Sequence, residues 1–197
     1  MSEEFKPKVK IRPKVSILPK QKASFAFDER IKITLTWSTD TDLDLCAFYK
    51  TKDGKEGGIF SNEYRGKKSD LGDISKFPFI LHSGDEKEPV EGAESSEEIK
   101  IAKLDDMESL HLCVVNFTAA QEELSVTFKE HSGKLQLLSD TGDNLEIDLN
   151  SGDEGPVYYI GKISIESGSK SLSNECKVID LGDASDDIPG FKLITKS

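Results

Sequence analysis

Ile31, Ile33, Leu35 and Trp37 alternate with Lys32, Thr34 and Thr36. An apolar residue at every second position suits a strand that turns one face to a core and the other to water. The same period returns along the chain. Residues 108–117 carry Leu110, Leu112 to Val115 and Phe117, and Leu124, Val126 and Phe128 alternate after them. Leu135 and Leu137 face Leu145, Ile147 and Leu149 across Asp140-Thr141-Gly142-Asp143-Asn144, a stretch whose Gly and Asn tolerate the positive φ of a hairpin turn. Val157 to Ile165 supplies a further strand before a Gly/Ser turn at 167–169. Helical periodicity is confined to short stretches near 104–109 and 118–123. These signals predict an all-β chain: a β-sandwich of two antiparallel sheets with long acidic loops and at most short helices.

A chain of 197 residues with 36% hydrophobic residues can bury one sizeable core, which excludes wholesale disorder. No window approaches the ~18 consecutive apolar residues of a membrane-spanning helix, and the start Met-Ser-Glu-Glu-Phe-Lys lacks a secretory apolar region. The expectation is therefore a cytoplasmic protein without a transmembrane segment. Cys46, Cys113 and Cys176 are too few and too scattered for a disulfide framework or a CxxC metal knuckle, and they read as small apolar residues.

Charge divides the chain unevenly. Residues 1–22 carry seven Lys/Arg and two Glu, a balance of +5, which leaves 19 bases and 35 acids on the other 175 residues, a balance of −16. Such a body repels nucleic-acid phosphates and attracts cations, so no nucleic-acid partner is expected on it. Residues 1–14 read as a basic arm and 15–197 as the sandwich domain. Val9, Ile11, Val15 and Ile17 alternate with bases, so the arm offers an edge strand from about Val15 and a solvated segment before it. Pro13 and Pro19 fit an edge or a tail better than a central strand.

Two acidic elements stand out. In extended chain Asp40, Asp42 and Asp44 share one face about 7 Å apart. Their mutual repulsion is relieved by a hard cation, for which Ca²⁺ with six to eight oxygen ligands is the natural fit. The bland alternative is a solvated strand end. An EF-hand is excluded, because counting from Asp40 the sixth position is Leu45 and the twelfth Thr51. The second element, Gly84 to Glu98, holds seven acids against Lys87 alone; it reads either as a mobile surface loop or as a second oxygen-donor loop of one calcium site. Neither element carries paired His or Cys, so zinc and copper fit poorly.

Trp37 before Asp42-Leu43-Asp44-Leu45, then Phe60-Ser61-Asn62, His82-Ser83-Gly84-Asp85 and Glu97-Glu98-Ile99-Lys100-Ile101 follow one another in an order that resembles the TerD family of tellurium-resistance and stress-response proteins, nearest its TerA-like branch. Val15-Ser16-Ile17 and Ala23-Ser24-Phe25 resemble the paired V-S-L segments at that family's amino end. The resemblance implies a bacterial, cytoplasmic, non-catalytic β-sandwich that binds Ca²⁺ and works beside other stress and tellurium-resistance proteins. Carried over position by position, it implies metal ligation by Asp42, Asp44, Asn62, Gly84, Asp85, Glu97 and Glu98; Asp40, which precedes the motif, and His82 and Glu86 are candidates for a supporting role. The chain departs from the family pattern at Lys20, Cys46 and Glu86, and across Glu88 to Glu94, where Pro89 replaces glycine-rich sequence.

An enzyme is not expected. No Gly-x-Ser-x-Gly elbow, phosphate-cradling Gly-rich loop or His-Glu-x-x-His occurs. His111, in an apolar run, reads as a satisfied core or edge histidine, and Asp180, Asp183, Asp186 and Asp187 read as a solvated turn or a further cation site. The alternative function is a lectin-like or C2-like sandwich whose acidic loops recognise carbohydrate, lipid or protein.

Overall fold

From Leu43 to Phe48 every residue is buried, whichever face of the strand it occupies. The computed structural model, which describes residues 5–85 and 92–195, shows why: this strand is covered on both sides. In chain order the strands are β1 (Val15–Ser16), β2 (Lys22–Phe25), β3 (Ile31–Trp37), β4 (Leu43–Thr51), β5 (Glu56–Ile59), β6 (Gly72–Asp73) and β7 (Ile80–His82). They continue with β8 (Ser95–Ile101), β9 (Met107–Asn116), β10 (Lys134–Ser139), β11 (Asn144–Asp148), β12 (Val157–Glu166), β13 (Ser169–Ser173) and β14 (Lys177–Ile179). Short helices α1 (Phe117–Glu122), α2 (Leu181–Asp187) and α3 (Lys192–Thr195) complete the described chain.

The strands form two sheets. One runs β1-β11-β10-β3-β8-β7-β6 and the other β2-β13-β12-β9-β4-β5, with β14 added beside β12. Every pairing within them is antiparallel except β1 with β11, which is parallel and places Val15 opposite Leu145. The mostly-β sandwich expected from the alternation is thus the observed fold. Ile33, Leu35, Ile99 and Leu137 from the first sheet pack on Leu43, Leu45, Leu112 and Tyr158 from the second. Full burial of each such side chain stabilises the fold by roughly 1.5–3 kcal/mol.

A smaller apolar layer covers the outer face of the second sheet. Cys46 and Phe48 of β4 and Cys113 of β9 lie there under Phe60, Tyr64, Ile188 and Phe191. Cys46 and Cys113 stand opposite each other in register, both buried, while Cys176 is half-buried and accepts a hydrogen bond from the Tyr158 hydroxyl.

Three local expectations are corrected. Leu124, Val126 and Phe128 form no strand: the Asn116 side chain accepts from the Ala119 N–H at 3.0 Å and starts α1 directly after β9, so the chain turns before Leu124, which remains 47% exposed. The stretch 104–109 is a turn entering β9, and only 118–123 overlaps a helix. The aspartates at the carboxyl end are not a solvated turn, because Asp180 caps α2 by accepting from the Asp183 N–H at 2.8 Å, and they do not gather as a cation group, Asp187 being paired with Lys177 and Asp186 with Lys192.

The arm is held well before Val15. The Lys8 N–H donates to Asp140 O and the Arg12 N–H to Gly142 O, while Lys8 pairs with Glu29 at 3.0 Å, Arg12 with Asp143 and Lys14 with Glu146 at 2.8 Å. The hairpin turn admits the arm because residue 142 is glycine: at its φ of 96° a Cβ would meet Lys10 O at 2.8 Å.

His111 is satisfied within the outer layer. Its Nε2 lies 2.9 Å from Ser109 Oγ and its Nδ1 2.8 Å from the Tyr159 hydroxyl. Burial, reinforced by the Lys162 charge, pulls the imidazole down from 6.5 to about 4. The unfolded chain therefore takes up this proton first as pH falls, so the stability His111 confers is full above pH 6.5 and drains away towards pH 4. In urea titrations at pH 7.5 and 4.5, the parent should lose about 2 kcal/mol more than His111→Gln; equal losses would contradict this account.

Candidate metal centre

At one end of the sandwich the two sheets meet through side chains. Trp37 closes β3, and its Nε1–H donates to Thr41 O at 2.9 Å, drawing Ser38 to Asp42 into a tight turn. The Ser38 N–H donates to His131 O, and Thr39 Oγ1 lies 2.8 Å from His131 Nδ1, which fixes the outer side of that turn. Asp42 follows, with its carbonyl accepting from the Phe117 N–H, and β4 begins at Leu43.

Leu45 is the pivot of the site. β5 ends at Ile59, opposite Ala47, so no strand of the described residues runs beside Leu45 on that edge. Its peptide groups are taken instead by the first sheet: the N–H donates to Glu97 Oε2 at 2.7 Å, and the carbonyl lies 2.9 Å from His82 Nε2. The Gly84 N–H donates to His82 Nδ1 at 2.9 Å, so that nitrogen carries no proton and the Nε2–H is the one given to Leu45. Both ring nitrogens of His82 are thereby occupied by protein. The left-handed φ of 99° at Gly84 then aims the chain at Asp85.

This framework brings Asp42, Asp44 and Asp85 together, with one carboxylate oxygen from each within 4.8 Å of the others. Asp44 is buried, Asp42 half-buried and Asp85 exposed, so the group opens to solvent on one side. Asn62 Nδ2 donates to Asp44 Oδ1 at 2.7 Å and the Tyr64 hydroxyl donates to Oδ2. Burial raises the Asp44 carboxyl well above its usual range, and the Glu97 and Asp42 charges add to this, while the Tyr64 and Asn62 hydrogen bonds work against it. Asp42 is raised by burial first, then by Asp85 and Glu97.

The other expected residues fall into distinct places. Asp40 is exposed on the turn and stands outside the group. Glu97, only 1% exposed, sits behind Asp44 with Ser61 Oγ 3.5 Å from its Oε1. Glu98 points to the opposite face of β8, where Lys32 holds it at 3.1 Å, so the adjacent glutamates do not share one site. Glu86 lies outside the described residues. Tyr64 and the Leu45 peptide were not legible as site elements in the sequence: Tyr64 falls in an irregular loop with no periodicity, and a main-chain donor leaves no sequence mark. Chemically the group offers oxygen alone, which suits a hard divalent cation.

Neither a protein-family model nor a curated protein matches the chain. Among solved structures, the crystal structure of SAV2460, a protein of unknown function, is similar over 78% of this chain and 94% of its own, with a TM-score of 0.50 and 12% identity. That likeness shows a shared fold.

The buried carboxylate has two opposite consequences for stability. Without added divalent cation, Tyr64→Phe should lower stability by about 1–3 kcal/mol, because Asp44 loses a donor. Asp44→Asn should leave it unchanged or raise it, since the charge repelled by Asp42 and Glu97 is gone. Thermal melts in chelator decide the matter; a large loss in Asp44→Asn would show that the carboxylate is held more favourably than its neighbours imply.

Proposed function

We propose that this protein is a calcium-binding, non-catalytic β-sandwich of a bacterial tellurium-resistance and stress-response system, working in the cytoplasm. The observation that carries the reading is the convergence of Asp42, Asp44 and Asp85, which lie on two segments far apart in sequence and are brought together by the hydrogen bonds of the Leu45 peptide groups with the Glu97 and His82 side chains. The order of the motifs that resemble the TerD family supports the placement in such a system.

The donor chemistry supports the metal. Three carboxylates repel one another at this separation, and a divalent cation removes that repulsion while supplying the counter-charge that the buried Asp44 lacks. Histidine is ruled out as a ligand here because both His82 nitrogens are bonded to backbone, and burial keeps the Cys46 thiol protonated. Ser95 Oγ, buried on the same face of β8 as Glu97 and one step nearer the turn, has no hydrogen-bond partner among the described residues and adds an unused oxygen at this end. Asp42, Asp44 and Asp85 would hold the ion, and its remaining ligands would come from water and nearby carbonyls. An uneven set of this kind suits Ca²⁺, which accepts irregular shells, better than Mg²⁺, which demands a near-ideal octahedron.

Titration calorimetry with Ca²⁺ and Mg²⁺, beside melts with and without chelator, tests the proposal. Ca²⁺ should bind more tightly than Mg²⁺, and at 100 times its Kd should add about 2.7 kcal/mol of stability. Asp42→Ala and Asp44→Ala should each weaken binding far more than Asp40→Ala, whose side chain is outside the group. No heat and an unchanged melt at millimolar Ca²⁺ would overturn the reading.

A further inference from the structure

Seven large hydrophobic residues are exposed among those described, and Val9, Ile11, Val15 and Leu18 all fall within the basic arm and β1 or just beyond it. Three of the arm's cations are already engaged by the body, Lys8 by Glu29, Arg12 by Asp143 and Lys14 by Glu146. Lys10 is exposed between Val9 and Ile11 and makes no ion pair among the described residues. The arm therefore exposes apolar side chains and, between Val9 and Ile11 in sequence, an ammonium without an ion pair, on a molecule whose net charge is −11.

The matching surface is on the same chain. Beside β14 a groove of about 670 Å³ runs between the end of α1 and the start of α2. Leu124, 47% exposed, gives it an apolar wall together with Pro156 and Leu181, and Glu154 and Asp183 stand on its acidic rim. The single cation of the lining, Arg65, is paired with Glu123 at 3.5 Å, so the remaining charge is negative. Among the described residues β14 pairs with β12 alone, which leaves its other edge without a strand from them.

We infer that the arm of one copy of this chain docks in the β14 groove of a second copy. Val9 and Ile11 cover Leu124 and Leu181, and Lys10 answers Glu154 and Asp183. Charge complementarity selects the occupant: an acidic body repels further copies everywhere except where its basic segment meets an acidic recess. Because arm and groove are different surfaces, the contact is head-to-tail and uses each surface once, so it continues into a series of subunits unless a ring closes.

Sedimentation of the full chain over a range of concentrations tests this, with an arm variant (Lys10→Glu with Ile11→Ser) and a groove variant (Glu154→Lys with Asp183→Lys), all at exposed or partly exposed positions away from the aspartate group. The parent should form species larger than a dimer at low salt, and these should weaken about tenfold in 0.5 M salt. Each variant alone should be monomeric, yet an equal mixture should form a dimer that stops at two, since it retains one good arm and one good groove. A labelled peptide of residues 5–18 should bind the arm variant and not the groove variant. A parent that stays monomeric, a dimer indifferent to both variants, or a mixture that does not associate would each overturn the inference. Should a variant fail to melt like the parent, the peptide titration on the parent, competed by unlabelled peptide and by salt, decides in its place.

Discussion

The peptide of Leu45 holds the functional end of this molecule together. It sits where β4 has outrun β5, and an unpaired buried N–H and C=O there would destabilise the fold by about 1–3 kcal/mol each. The first sheet satisfies both, through Glu97 from β8 and His82 from β7. Two side chains thus join the layers by direct hydrogen bonds across an otherwise apolar gap. The positions of Asp44 on one layer and Asp85 on the other follow from that junction, and so does the burial of Glu97 behind them. Asn62 and Tyr64 then become necessary, because a carboxylate packed at such a junction needs donors.

Much of this architecture was legible in the chain, and the limits of that legibility are physical. Period-two alternation is decisive where one face of a strand is wet, as in β3, β10 and β11. It fades in β4, where both faces are covered and the stretch reads as an almost unbroken apolar run. Leu124-Val126-Phe128 shows the opposite failure, an accidental alternation overridden by the Asn116 cap. At the site, spacing correctly brought Asp42 and Asp44 to one face and wrongly extended that face to Asp40, because the chain leaves β conformation between Trp37 and Leu43. Adjacent Glu97 and Glu98 were indistinguishable by composition, and only the register of β8 separates the inward from the outward one.

The acidic composition resolves into groups with different duties. Asp140 accepts from the Asp28 and Glu29 N–H groups at 2.9 and 2.8 Å and so builds a turn, and Asp143 and Glu146 hold the arm. Asp53 closes on Lys55 and Thr51, which lowers its carboxyl to about 2. Asp42 and Asp44 run the other way, pushed up by burial first and then by neighbouring acids, Asp85 and Glu97 on Asp42, Glu97 and Asp42 on Asp44. What distinguishes the aspartate group is therefore unrelieved repulsion in a partly dry place, set against neighbours whose charges are answered by cations or main-chain N–H groups. Abundance of acid alone says little about where a cation would go.

The strand order also sets a timetable. β1 waits for β11, β2 for β13 and β3 for both β8 and β10, so the ladders that join the local hairpins into sheets link segments far apart in the chain. Chains of this topology close large loops before contacts reward them, and they fold in milliseconds to seconds rather than microseconds. The outer layer adds a last step, since Cys46, Phe48 and Cys113, covered in part by Phe60 and Tyr64, are not fully covered until Ile188 and Phe191 arrive from late in the chain. During synthesis on the ribosome the central strands must therefore pass through a period with one apolar face bare, and this is the interval in which the nascent chain is most exposed to aggregation and to chaperones.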